Sequence, residues 1–285
     1  MNLESWYAKG TTFVSGDRSI FYVREGTGIP LLCVHGFPTS SWDFAPIFPE
    51  LTAKFDCIVP DLVGLGISKA PLKKDIIMAQ ADAMELLLEE LEIKEAHIFA
   101  HDIGDTVVQE LLARNREHKG TVTWLSAVFM NGGMFPEANT PRPIQKLLAS
   151  FIGPLLGRLL SFNSFHKTMH DIFSKEHPPT KEFLESSWNL LELNEGRKMI
   201  PIILSYLAER KTYCKRWRAP IEKPDIPMAM INGIQDPISG HATALFFQKL
   251  QPKSHTFFLE NAGHYPHIET PKSVLDAFFK FHKIT

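Results

Sequence analysis

Cysteine is scarce in this chain: the 285 residues hold three, Cys33, Cys57 and Cys214, an odd number without CxxC spacing. That excludes a disulfide framework and a cysteine-built zinc site. Cys33 and Cys57 sit inside apolar runs and read as buried free thiols, which suits a reducing cytoplasm. Long apolar runs are missing as well, none approaching the roughly 20 residues of a membrane span. Met1 to Gly10 lacks the basic start and apolar core of a secretory signal. Charge of one sign is also lacking, since the formal net charge is -2 and Lys, Arg, Asp and Glu are mixed along the chain. No broad basic face for nucleic acid and no polybasic stretch for a membrane is therefore expected. Internal repeats and low-complexity tracts are absent.

What is present is an alternation of apolar runs with helical spacing. Thr11 to Val14 and Arg18 to Glu25 alternate around Ser15-Gly16-Asp17 and predict a hairpin. Ile29 to Val34, Phe55 to Val59 and Val122 to Met130 are continuous apolar runs, the mark of parallel strands covered on both faces. Ile76 to Leu91 repeats apolar residues at helical intervals between two such runs. The fold class is α/β, with a mostly parallel central sheet flanked by helices.

The organising stretch is Ala96 to Leu112. It starts as an apolar strand, breaks at small residues and resumes with helical spacing at Val107, Val108, Leu111 and Leu112. His101-Asp102-Ile103-Gly104 has the shape of a nucleophile elbow, the tight strand-to-helix turn that lifts one side chain above a sheet, with Asp102 where serine usually stands. An Asp here could also serve as a helix N-cap.

From about Met134 to Pro220 the pattern is helical, with predicted segments Ile144 to Leu160, Lys181 to Leu193 and Met199 to Arg210 and prolines that include those at 136, 141, 143, 178, 179 and 220. Such an insertion reads as a lid over the carboxyl edge of the sheet, where open α/β folds place ligands. The division is a core of residues 1–133 and 221–285 and a helical cap of residues 134–220. The sheet resumes at Pro227 to Asn232 and Thr256 to Leu259, with helices near Ala242 to Leu250 and Lys272 to His282. Gly64-Leu65-Gly66 lacks the third glycine of a dinucleotide loop, and Pro71 interrupts any helix beginning there. His166 and His170 stand four apart without an HExxH glutamate, and read as a solvated or lid-lining face. No metal and no organic cofactor is expected.

The order His35-Gly36-Phe37-Pro38, Asp61-Leu62-Val63-Gly64-Leu65-Gly66-Ile67-Ser68, the elbow, Asp236 after a late strand and Gly263-His264 before the last helix resembles the α/β-hydrolase superfamily over nearly the whole chain. With Asp at the elbow it is similar to the epoxide hydrolase and haloalkane dehalogenase branch. His101-Asp102-Ile103-Gly104-Asp105 and Asn131-Gly132-Gly133-Met134-Phe135-Pro136-Glu137 further resemble the mesoderm-specific transcript subgroup.

The chemistry of the residues agrees. A carboxylate attacking an ester would give a high-energy anhydride, whereas attack on a saturated carbon bearing a leaving group gives an ordinary alkyl ester. Asp102 would then be the nucleophile, His264 the base that activates water, and Asp236 the acid that fixes the imidazole. Backbone N–H groups of Phe37 and Ile103 would form the oxyanion hole. Asp236 precedes Pro237, so a plain turn Asp is the alternative reading.

Dehalogenases of the branch generally hold the halide with side-chain donors at the positions of Phe37 and Ile103, which here have none. Epoxide hydrolases instead use two lid donors, usually tyrosines. Tyr206 and Tyr213, seven apart, fit one helical face if the helix continues, and Trp188 is a candidate for the pocket wall. The second donor is open, with His166 or His170 as further choices. The expected activity is hydrolysis of a small apolar epoxide. A haloalkane dehalogenase is second, and a binding protein that kept the fold without turnover is third. A homodimer is left open.

Overall fold

The computed structural model describes every residue except Asn194 and Thr285. The apolar runs form one eight-stranded sheet: β1 (Thr11–Ser15), β2 (Arg18–Glu25), β3 (Pro30–Val34), β4 (Asp56–Pro60), β5 (Glu95–His101), β6 (Thr123–Met130), β7 (Met228–Gly233) and β8 (His255–Leu259), in the order β1-β2-β4-β3-β5-β6-β7-β8. β2 runs antiparallel to β1 and β4, and the other neighbours are parallel. Alternate residues of one strand feed opposite cores. Leu32, Val34, Ile98 and Ala100 join the cluster on one face, while Leu31, Cys33 and Phe99 join the other. Both faces are covered, which is why the strands read as unbroken apolar runs.

The helices are α1 (Leu3–Lys9), α2 (Phe48–Thr52), α3 (Ile76–Glu90), α4 (Ile103–Arg116), α5 (Pro143–Leu148), α6 (Gly153–Arg158), α7 (Phe162–Ile172), α8 (Lys181–Leu193), α9 (Gly196–Leu204), α10 (Tyr206–Thr212), α11 (Cys214–Glu222), α12 (His241–Leu250), α13 (Pro266–Glu269) and α14 (Pro271–His282). Those from α5 to α10 follow β6 and form the lid. α11 lies against the core: the Trp217 indole N–H donates to Glu110 Oε2 at 2.7 Å and Gln109 Nε2 donates to the Trp217 carbonyl at 3.2 Å.

Two predicted lid helices are each broken in two. Ile144 to Leu160 becomes α5 and α6, because Pro154 has no N–H to continue a helix and fits only its first turn. Met199 to Arg210 is divided between α9 and α10 at Ser205. α1, α7 and α11 lie outside the helical segments predicted from the sequence. α7 is nonetheless started by Ser161, whose side chain accepts from the Ser164 N–H at 3.3 Å, and it buries Phe165, Met169 and Ile172 at helical intervals.

β3 pairs with β4 on one side and β5 on the other, so the chain reverses direction across the sheet at β3. Ligands of open α/β sheets bind at such a switch point. The loop after β3 and the turn after β5 meet there because Gly104 lets α4 approach the strand end. A Cβ on Gly104 would stand 2.5 Å from the Val34 carbonyl oxygen and 2.9 Å from that of His35. Gly104→Ala is expected to lower stability by about 3 kcal/mol, because overpacking against fixed backbone outweighs the roughly 1 kcal/mol of helix propensity that Ala adds. The urea midpoint measures it; an unchanged midpoint would mean that α4 can move off β3.

Candidate active site

Asp102 sits between β5 and α4 with φ 53 and ψ -114, a conformation that costs a non-glycine residue about 1–3 kcal/mol. The turn is held by the Asp102 N–H, which donates to the Met130 carbonyl at 3.1 Å, and by the absence of a side chain at Gly36. A Cβ on Gly36 would come within 2.8 Å of Asp102 Cβ. The strain points the carboxylate up from the sheet edge.

One carboxylate oxygen, Oδ1, accepts the Phe37 backbone N–H at 2.9 Å. The Ile103 N–H, first in α4, has no intrahelical acceptor and belongs to the positive end of the helix. The other oxygen, Oδ2, is 3.5 Å from His264 Nε2. On the far side of that ring, His264 Nδ1 is 2.8 Å from Asp236 Oδ2. Asp236 also accepts the Asn131 side-chain amide at 2.9 Å and the Ile238 and Ser239 N–H groups at 2.7 and 3.2 Å. Asp102, Asp236, His264 and the amides of Phe37 and Ile103 are therefore brought together at the carboxyl edge of the sheet.

All three side chains are buried. Burial pushes the Asp102 pKa up, but His264 and the Phe37 N–H outweigh it and leave it lowered to about 2. Burial pulls His264 down, yet the two flanking carboxylates, Asp236 foremost, raise it to about 10. Asp236, against burial, is lowered by His264 and Asn131. These directions favour a resting arrangement of a carboxylate, an imidazolium and a second carboxylate.

Because the folded pKa of His264 lies above its value in the unfolded chain, its contribution to stability is complete below a pH of about 6.5 and is lost as pH rises toward about 10. The gap in unfolding free energy between the wild type and His264→Gln should accordingly be widest near a pH of about 6 and narrow above it. A gap that widens with pH would mean a neutral His264.

Above Asp102 lies a cavity of about 130 Å³, walled mostly by apolar side chains including Phe37, Leu148, Phe165, Trp188 and Leu204. Trp188 lines it as expected, and its indole N–H donates to no protein acceptor among the described residues. The tyrosine pair does not line it. Tyr206 is buried with Arg210 stacked 4.7 Å from its ring centre, and Tyr213 packs 5.3 Å from Trp217. α10 ends at Thr212, so spacing by seven does not put both on one face. His166 and His170 are exposed on α7, their rings 4.4 Å apart and tilted by 41°, while Thr168, Met169 and Ile172 of the same helix wall the cavity.

Several positioning residues carry little sequence signal. Asn131, at a positive φ of 48, ties β6 to the Asp236 loop, and the Asn131-Gly132-Gly133 run is its one sequence hint. Glu269 accepts the N–H groups of Gly263 and Ser174 at 2.8 Å and of Tyr265 at 2.9 Å, fixing the His264 loop to the lid. His101 Nε2 donates to the His264 carbonyl at 2.7 Å. Beneath it, Asp43, His101 and His267 are fully buried, and one ligand atom from each lies within 4.8 Å of the others. Asp43 Oδ1, His101 Nδ1 and both His267 nitrogens have no hydrogen-bond partner. Two imidazoles and a carboxylate suit a divalent transition ion, and this is the one such group among the described residues. It lies outside the cavity wall, and the chemistry derived for Asp102 does not draw on it.

The family described as alpha/beta hydrolase fold matches residues 29–271. The mesoderm-specific transcript protein of Mus musculus is 33% identical over 293 residues, covering 98% of this chain and 87% of its own. A putative hydrolase, LipZ, of Mycobacterium tuberculosis is 32% identical over 259 residues, covering 90% of each. Among solved structures, the haloalkane dehalogenase DbeA of Bradyrhizobium elkani superposes with a TM-score of 0.78 at 20% identity, covering 96% of this chain and 98% of its own. The epoxide hydrolase CorEH superposes with a TM-score of 0.78 at 19% identity over the same shares. The chain belongs to the α/β-hydrolase family. That membership implies a small-molecule substrate, and the likeness to CorEH and DbeA shows the fold alone.

Proposed function

We propose that this hydrolase opens an apolar epoxide through an ester on Asp102. The observation that carries the reading is the Asp102 carboxyl group at the elbow, one oxygen held by the Phe37 N–H and the other beside His264 at the floor of the apolar cavity. Asp102 Oδ2 attacks a ring carbon as the carbon–oxygen bond opens, and the alkoxide, hydrogen-bonded by the Trp188 indole, takes a proton from water. Alkylation removes the charge of Asp102, so His264 loses one of the two carboxylates that raised its pKa, gives its proton to solvent and becomes a base.

His264 then takes a proton from water, and the hydroxide adds to Cγ of the ester. The N–H groups of Phe37 and Ile103 hold the oxyanion. Collapse breaks the bond from Cγ to Oδ2, which leaves on the substrate carbon and becomes a hydroxyl of the diol, protonated from the imidazolium or the new carboxyl group, while the oxygen of the water stays on Asp102. Asp236 keeps its charge throughout and orients the ring.

The lid supplies one indole donor in place of a tyrosine pair. Trp188→Phe is expected to lower kcat about a hundredfold while changing KM little, the signature of a contact made chiefly in the transition state. Equal losses in kcat and affinity would make Trp188 a wall only. The reading as a whole is tested by incubating the protein with panels of terminal and internal epoxides and of alkyl halides and measuring diol and halide release. Diol formation abolished by Asp102→Asn supports it; halide release alone would transfer the same covalent chemistry to alkyl halides.

A further inference from the structure

Among the described residues, ten large apolar side chains stand in solvent, and five belong to one stretch of the lid: Ile144 (40% exposed), Leu147 (44%), Phe151 (95%), Leu155 (63%) and Leu159 (71%). They recur every three or four residues along α5, α6 and the turn between them. This is not a helix swung away from its packing site, because the inner side of α6 is already seated. A Cβ on Gly157 would meet the Arg197 carbonyl oxygen at 2.4 Å and Pro201 Cγ at 2.8 Å, so α6 is pressed onto α9 at its glycines. The outward leucines are surplus to that contact. Ile144 is both exposed and a wall of the cavity, so the patch runs up to the mouth of the site.

Charge narrows what could cover it. From Ala138 to His170 the chain carries four Lys or Arg and no Asp or Glu, all 32 acidic residues lying elsewhere. Arg142 is paired with Asp171 at 2.6 Å. Lys146, Arg158 and Lys167 are exposed and have no ion-pair partner among the described residues. A second copy seated on the patch would bring these like charges together. An anionic bilayer supplies both an apolar interior for the five side chains and negative charge for the cations around them.

We propose that the lid face from Ile144 to Leu159 docks on the surface of an anionic lipid bilayer and that the cavity takes its apolar substrate from there. The association is peripheral, since no helix among the described residues is long and apolar enough to cross a membrane. It does not depend on the ester chemistry, and it is read without turnover.

The test sediments the full chain with vesicles of phosphatidylcholine containing about one third phosphatidylserine, and with vesicles of phosphatidylcholine alone. The wild type should bind the anionic vesicles, less at high salt, and bind the neutral ones about tenfold more weakly. The double variant Phe151→Ser/Leu155→Ser, at positions outside the cavity wall, should lose about tenfold or more in partitioning with its unfolding midpoint unchanged. Lys146→Glu/Arg158→Glu should lose the preference for anionic vesicles. Failure of the wild type to bind, wild-type binding by either double variant, or a solution dimer that Phe151→Ser/Leu155→Ser dissociates would overturn the proposal.

Discussion

Asp102→Asn is expected to lower turnover by a factor on the order of 10⁴ or more while leaving the protein folded. The substitution separates the two roles the residue could have. Asn caps a helix as well as Asp does, so a residue that merely started α4 would lose little by the change. Asn also keeps an oxygen for the Phe37 N–H, which donates to Oδ1 at 2.9 Å in the native site. What it removes is the charge and nucleophilicity that form the ester. Diol production and the urea midpoint measured on the same preparation decide the matter, and loss of both together would point to a structural role.

His264→Gln should have the next largest effect, and of a different shape. The first half of the reaction needs the Asp102 carboxylate, which keeps the Phe37 N–H and the end of α4 without the imidazole. The second half needs a base, and Gln has none. A single equivalent of epoxide should disappear rapidly, followed by diol release slower by about 10³-fold or more, since general-base catalysis contributes about 10²–10⁴. Equal slowing of both phases would mean that His264 also takes part in ring opening.

How much of this was legible in the sequence differs between sheet and lid. Strands buried on both faces have only one pattern open to them, the continuous apolar run, so β3, β4, β5 and β6 could be read directly, and the elbow stood out as the break after one of them. Asp236 and His264 were found by their order along the chain; their 2.8 Å contact is a consequence of β7 and β8 lying side by side.

The lid was legible as helical but not in its directions. A break at Pro154 or at Ser205 rotates everything beyond it, and because α10 ends at Thr212 the spacing between Tyr206 and Tyr213 does not report a shared face. Contacts across long separations were invisible for another reason. Asn131 reaches Asp236 over 105 residues, and Asp43, His101 and His267 meet only where the 3-10 turn after β3, the end of β5 and α13 converge.

The most direct measurement of the ester chemistry is the intact mass of His264→Gln after exposure to a reactive apolar epoxide, followed by peptide mapping. The expected result is one added epoxide mass on the peptide containing Asp102, absent in the double variant with Asp102→Asn. An unmodified protein that nevertheless turns the epoxide over, or a fluorophosphonate adduct on a serine that abolishes turnover in the wild type, would contradict it.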